Sequence, residues 1–211
     1  LKGFYAIVDV PPDALADLDA LARRSAALLE SRPACLQLRA KVAAARPLAE
    51  AASRLLALCR AAGVPFCVND RMDVALAVGA DVVHLGQDDL PLPDAVRVRE
   101  RLGRSELVIG FSTHNLAQAQ AAAAGGADYI GFGPVFGTAS KLNPDPIVGL
   151  AALATVTRAV QVPVVAIGGI GLDTVGAVAA AGASAAALIG AVERASDPAA
   201  VGRAVAAAFA R

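Results

Sequence analysis

Neither sign of charge is in excess in this sequence: Lys and Arg number 19, and so do Asp and Glu. Without a basic surplus, the chain lacks the electrostatic footprint of a nucleic-acid or anionic-membrane binder. Cysteine is scarce. The three present, Cys35, Cys59 and Cys67, are an odd number without C-x-x-C spacing. That argues against a disulfide framework and fits a reducing cytoplasm. Cys35 and Cys67 fall in strand-like runs, where a small thiol reads as core. There is no tryptophan. No apolar segment reaches the ~18 residues of a membrane span, and the stretch 175–188 is broken by Gly176 and Gly182. Leu1-Lys2-Gly3 leads straight into a strand, so no signal peptide is expected. A chain that starts without Met is expected to be trimmed or partial. A Ser-His-Asp order, zinc-ligand spacing and a Walker loop are missing too.

What is present is repetition. The chain has 211 residues and is 56% hydrophobic, enough for one domain with a full core, 1–211. Short apolar runs recur at 5–8, 35–38, 65–68, 82–85, 107–111, 129–132, 164–167 and 186–189. Each reads as a buried strand. Ala- and Leu-rich segments with helical spacing lie between them, and Gly63, Gly79, Gly126 and Gly182 stand where a helix should stop. Strict alternation implies a parallel sheet. This many units in so short a chain imply an α/β fold, a TIM (β/α)8 barrel. A doubly wound open sheet is the alternative, but Val8-Asp9-Val10-Pro11-Pro12 supplies no glycine fingerprint after the first strand.

In such a barrel, chemistry sits at the C-terminal ends of the strands. Polar residues collect there. Asn69-Asp70 follows one strand, and Gln87-Asp88-Asp89 follows the next, across a short helical crossover at 72–78. Parallel strands bring Asp70 and Asp89 to one edge, and two converging carboxylates suit a hard cation such as Mg²⁺. Gln37, Arg39 and Lys41 alternate along one strand and are expected to face the same way. A bland alternative pairs Arg39 with Asp70. Gly137-Thr138-Ala139-Ser140-Lys141 offers hydroxyl and cationic donors to an anion. Gly168-Gly169 and Gly190 follow the seventh and eighth strands, where barrels often bind phosphate, although a tight turn also wants glycine. Carboxylates beside cations fit a Mg²⁺-bound pyrophosphate better than a bare phosphate. The pattern implies joining a phosphate-bearing molecule to a pyrophosphate-activated one. His84, inside a strand, reads as a hydrogen-bonded core residue. His114 reads either as an acid/base or as part of a helix start with Asn115.

The segments Gln37-Leu38-Arg39-Ala40-Lys41, Asn69-Asp70, Val83-His84-Leu85-Gly86-Gln87-Asp88-Asp89, Ser112-Thr113-His114, Gly131-Phe132-Gly133-Pro134-Val135-Phe136 and Ile167-Gly168-Gly169-Ile170 resemble the thiamine phosphate synthase family. The resemblance covers nearly the whole chain. It implies a Mg²⁺-dependent transferase of thiamine biosynthesis that joins hydroxymethylpyrimidine pyrophosphate to hydroxyethylthiazole phosphate and releases pyrophosphate. By resemblance, Gln37, Arg39, Lys41, Asn69 and Lys141 hold the pyrimidine pyrophosphate, and Asp70 and Asp89 bind Mg²⁺. Thr138, Ser140, Gly169, Ile189 and Gly190 hold the thiazole phosphate, with Ser112 near the reacting centre. Arg39, Lys41, Ser112 and Lys141 carry the catalysis. Three positions depart from the family pattern: Ala40 for Glu, Gly137 for Pro and Gly190 for Ser. Strand alternation turns Ala40 away from the site. Rival readings are a thiazole tautomerase-like relative using His114, a barrel isomerase or aldolase with a Schiff base at Lys141, and a non-catalytic phosphate-ligand binding protein.

Overall fold

Residues 1–11, 15–137 and 145–210 are described in the computed structural model. The apolar runs form β1 (Gly3–Asp9), β2 (Cys35–Arg39), β3 (Phe66–Asn69), β4 (Val82–Leu85), β5 (Val108–Thr113), β6 (Tyr129–Phe132), β7 (Val164–Ile167) and β8 (Ala185–Leu188). The segments between them form α1 (Leu18–Leu29), α2 (Ala45–Ala62), α3 (Met72–Val78), α4 (Leu92–Arg101) and α5 (Leu116–Ala124). Then come α6 (Gly149–Ala159), α7 (Val175–Ala180), α8 (Gly190–Glu193) and α9 (Pro198–Ala208). Neighbouring strands pair in parallel in chain order, and β8 pairs back onto β1 from Gly3↔Ala185 to Ala6↔Leu188. That last pairing closes the barrel and rules out the open sheet.

Strand alternation divides the apolar residues into two cores. Along β1, Phe4, Ala6 and Val8 face the helices, while Tyr5 and Ile7 face the barrel axis. The outer core is larger, with Leu28, Leu48, Leu55, Leu153 and Val205 brought to it by the helices. The inner core is small and mixed: Tyr5, Cys35, Cys67, Val82, Tyr129 and Val165 belong to it. Ala40, just past the end of β2, packs in the outer core and so away from the cavity, as expected. All three cysteines are buried and free. Burial pushes the Cys59 thiol up to about 12, so it stays an unreactive packing group.

Helix starts are set locally. Asp17, Asn115 and Asp197 each accept a hydrogen bond from a backbone N–H in the first turn of α1, α5 and α9. Among the described residues, no helix is long and apolar enough to cross a membrane.

Three element boundaries matter for the site. β2 ends at Arg39, so Lys41 lies in the following turn and not on the strand. Its alignment with Gln37 and Arg39 therefore comes from the loop, not from alternation. β5 runs to Thr113, which puts Ser112 on a strand. β8 stops at Leu188, leaving Ile189 to start α8.

Candidate active site

The C-terminal ends of the strands open into a cavity of about 840 Å³, and every strand contributes to its lining. Of the residues expected from sequence, it gathers Gln37, Arg39, Lys41, Asn69, Asp70, Asp89, Ser112, Gly169, Ile189 and Gly190. Thr138, Ser140 and Lys141 lie outside the described residues.

One side of the cavity is acidic. Asp70 follows β3 with a left-handed backbone (φ 63°), a conformation that a short polar side chain tolerates better than most. Its N–H donates to the His84 carbonyl at 2.8 Å, which anchors the bend to β4. Asp89 comes from the β4–α4 loop, and its Oδ2 accepts the Gly86 N–H at 2.6 Å. The two carboxyls face one another. Burial, with Asp89 beside it, raises the Asp70 carboxyl to about 6. Lys41 and Arg39 pull the other way without prevailing. Lys41 Nζ stands 3.9 Å from Asp70 Oδ2 and is half exposed, so its attraction is screened.

The Arg39 guanidinium does not pair with Asp70. It donates to Asp9 Oδ1 at 2.5 Å, across the β1–β2 pair where the two residues are in register. That contact holds the guanidinium at the cavity wall.

The acidic pair fits Mg²⁺. Among the described residues, no three His, Cys, Asp or Glu side chains cluster into a protein cage. Mg²⁺ needs no such cage, because it keeps several waters and takes one or two carboxylates plus substrate phosphates. A raised carboxyl beside a second one is a local excess of negative charge that a cation would relieve.

Beneath the cavity, a hydrogen-bonded chain crosses the barrel. Gln37 Nε2 donates to the Tyr5 hydroxyl at 3.0 Å, and the Tyr5 and Tyr129 hydroxyls lie 2.9 Å apart. His84 bridges the Tyr129 hydroxyl (Nδ1, 3.0 Å) and Ser112 Oγ (Nε2, 2.9 Å). Burial lowers the His84 imidazole to about 4, so it is neutral at pH 7. A neutral ring has one donor and one acceptor nitrogen, and both are used here. Sequence reading placed His84 in a packed role. Its hydrogen bonding agrees, but the ring also lines the cavity. Tyr5 and Tyr129 were not anticipated. Their inward parity on β1 and β6 was the available signal. The Tyr129 ring fits because Gly110, its register partner on β5, has no Cβ to overlap it. Tyr129→Phe should leave the buried Tyr5 hydroxyl and His84 Nδ1 short of a partner. We expect a loss of about 1–3 kcal/mol in denaturant unfolding, and an unchanged midpoint would refute the continuous chain.

The opposite wall is built on glycine. Gly168 and Gly169 have φ of 96° and 63°. A Cβ on Gly169 would overlap the Gly137 carbonyl and stand 2.8 Å from Phe136 Cβ. Phe136 N–H donates to the Gly168 carbonyl at 3.0 Å, and Val135 N–H to Ile167 at 2.9 Å. The sequence expectation gave these glycines to phosphate approach. The structure gives each a packing reason as well: they seat the strand-six loop against strand seven.

The two readings of His114 are also resolved in part. Asn115 caps α5, and the His114 N–H donates to Gln118 Oε1 in its first turn at 2.8 Å, which makes His114 part of the helix start. The His114 Nδ1 lies 2.6 Å from the Gly133 carbonyl, and Nε2 is 3.7 Å from Asp145 Oδ2.

A closed parallel barrel with polar side chains gathered at the C-terminal mouth of its strands is the arrangement of a (β/α)8 enzyme. The thiamine monophosphate synthase family model matches residues 4–192. A thiamine-phosphate synthase of Anaeromyxobacter dehalogenans is 48% identical over 209 residues, covering 99% of this chain and 88% of its own length. Another, from Laribacter hongkongensis, is 45% identical over 199 residues, 94% of this chain and 91% of its own. The solved thiamine phosphate pyrophosphorylase from Pyrococcus furiosus superposes with a TM-score of 0.84 at 34% identity, over 98% of this chain and 94% of that one. The chain belongs to the thiamine monophosphate synthase family. It is a transferase, and its reaction forms thiamine phosphate.

Proposed function

We propose that the whole chain, 1–211, works as one catalytic domain that couples hydroxymethylpyrimidine pyrophosphate to hydroxyethylthiazole phosphate. The observation that carries this is the facing Asp70–Asp89 pair with Arg39 and Lys41 at the same mouth. Asp70 and Asp89 would hold Mg²⁺, which when bound supplies positive charge to the pyrophosphate. Gln37 and Asn69 hold the pyrimidine substrate. Arg39, Lys41 and Lys141 neutralise its pyrophosphate as the carbon–oxygen bond breaks and the electron pair leaves with it. The electron-rich aminopyrimidine stabilises the resulting cation. The thiazole nitrogen then donates its lone pair to that carbon. Ser112, held by His84, stands near the reacting centre. Thr138, Ser140, Gly169, Ile189 and Gly190 hold the thiazole phosphate. No protein nucleophile is needed.

A tautomerase-like reaction would not need a metal site. The facing Asp70–Asp89 pair, with Asn69 and Arg39 at the same mouth, therefore supports the synthase reading. Three buried free thiols support a reducing cytoplasmic setting. The test is direct: incubate both substrates with and without Mg²⁺ and measure thiamine phosphate and pyrophosphate. Equimolar appearance of both products, dependent on Mg²⁺, is expected. Lys141 acts as a charge, so Lys141→Arg should retain more activity than Lys141→Ala. A covalent adduct trapped at Lys141 during turnover would contradict that role.

A further inference from the structure

The corner of the cavity beside β8 holds a cation that no step above uses. Arg194 lines the cavity together with Gly190, and it is the residue that closes α8, its N–H donating to the Gly190 carbonyl at 3.2 Å. Residues four apart share one face of a helical turn, and side chains lean toward the helix N-terminus. Arg194 therefore reaches back over position 190. A Cβ there would stand 2.8 Å from Arg194 Nη1. Glycine at 190 leaves the space that the guanidinium occupies.

The electrostatics point the same way. Its chain neighbour Glu193 is turned outward and pairs with Arg24 at 3.0 Å, tying α8 to α1. Among the described residues, no carboxylate forms an ion pair with Arg194. Asp173, the acidic residue lining the same end, lies over Gly171 instead. Arg39 is committed to Asp9, and Lys41 stands beside Asp70. Arg194 is thus a cation poised over a glycine at the wall opposite the acidic pair, with its planar donors available to an anion.

We infer that Arg194, seated in the space that Gly190 leaves, binds the phosphate of the thiazole substrate. This rests on the proposed substrate pair. Arg194→Gln should raise KM for thiazole phosphate by about tenfold, as expected for losing a charge-assisted contact. The KM for the pyrimidine pyrophosphate and kcat should stay unchanged, and Arg194→Lys should recover part of the loss. Gly190→Ala should also raise the thiazole phosphate KM by displacing the guanidinium, but add little once Arg194 is Gln. Equal effects on both substrates, or none on either, would overturn the assignment. Thermal melting identifies any variant that fails to fold, and in that case Arg194→Lys and Gly190→Ala carry the test. Calorimetry with inorganic phosphate separates this inference from the reaction itself. If the unaltered protein makes no thiamine phosphate, the substrate reading fails. Phosphate binding by that protein but not by Arg194→Gln would still uphold the site, and equal binding by both would sink it.

Discussion

Asp70→Asn is expected to lower thiamine phosphate synthesis at limiting Mg²⁺ by about 100-fold or more. Each 1.4 kcal/mol of lost charge stabilisation is about tenfold in rate, and a bound metal supplies several kcal/mol. Asparagine tolerates the left-handed backbone at this position, so the loss reports the charge and not the bend. Asp89→Asn should act in the same direction. Full activity of both variants at limiting Mg²⁺ would remove these residues from the metal site. The raised Asp70 carboxyl adds a pH signature. Below about 6 a proton holds the site that a cation needs, so Mg²⁺ affinity should climb with pH and level off above that value. The stability linkage has a definite sign. The neutral form is favoured in the fold, so its contribution is fully present below the ordinary value of 3.8 and is lost as pH rises through about 6. Without metal, the unaltered protein should lose melting temperature relative to Asp70→Asn between pH 4 and pH 7. Mg²⁺ should restore the difference only where Asp70 is present. Parallel melting curves across that range would contradict the raised carboxyl.

Gly169→Val is the second large effect. A β-branched residue at φ 63° is strained by about 1–2 kcal/mol before any contact is counted. Its Cβ also overlaps the Gly137 carbonyl, which is backbone and cannot swing aside. The strand-six loop must move, and Thr138, Ser140 and Lys141 follow Gly137 directly in the chain. We therefore expect kcat/KM to fall by roughly 100-fold or more, with weakened binding of both substrates in calorimetry. Loss confined to the thiazole phosphate would mean that Gly169 serves phosphate approach alone. Retained affinity for both would mean that the loop accommodates the side chain.

The contrast between Gly169 and Asp70 marks what each level of description determines. The barrel was legible in the sequence because its causes are local: apolar runs of strand length, helical spacing between them, and strict alternation. The acidic pair was legible too, since parallel strands must present their C-terminal ends together and Asp70 and Asp89 follow consecutive strands. Ala40, one residue past the end of β2, still packs in the outer core. Lys41 escaped parity, because β2 ends two residues before it. The partner of Arg39 required the β1–β2 register, which put Asp9 and not Asp70 in reach. The Tyr5–Tyr129 contact joins residues 124 apart in the chain, and only closure of the barrel brings them together. Gly169 looks the same in sequence whether a phosphate or a neighbouring loop forbids its side chain. Arg194 looks like any exposed arginine until α8 folds it over Gly190. Periodicity and spacing set which residues reach the mouth of the barrel. Which of them touch depended on packing between distant segments, because hydrogen bonds and close contacts act over a few ångströms that spacing along a chain does not specify.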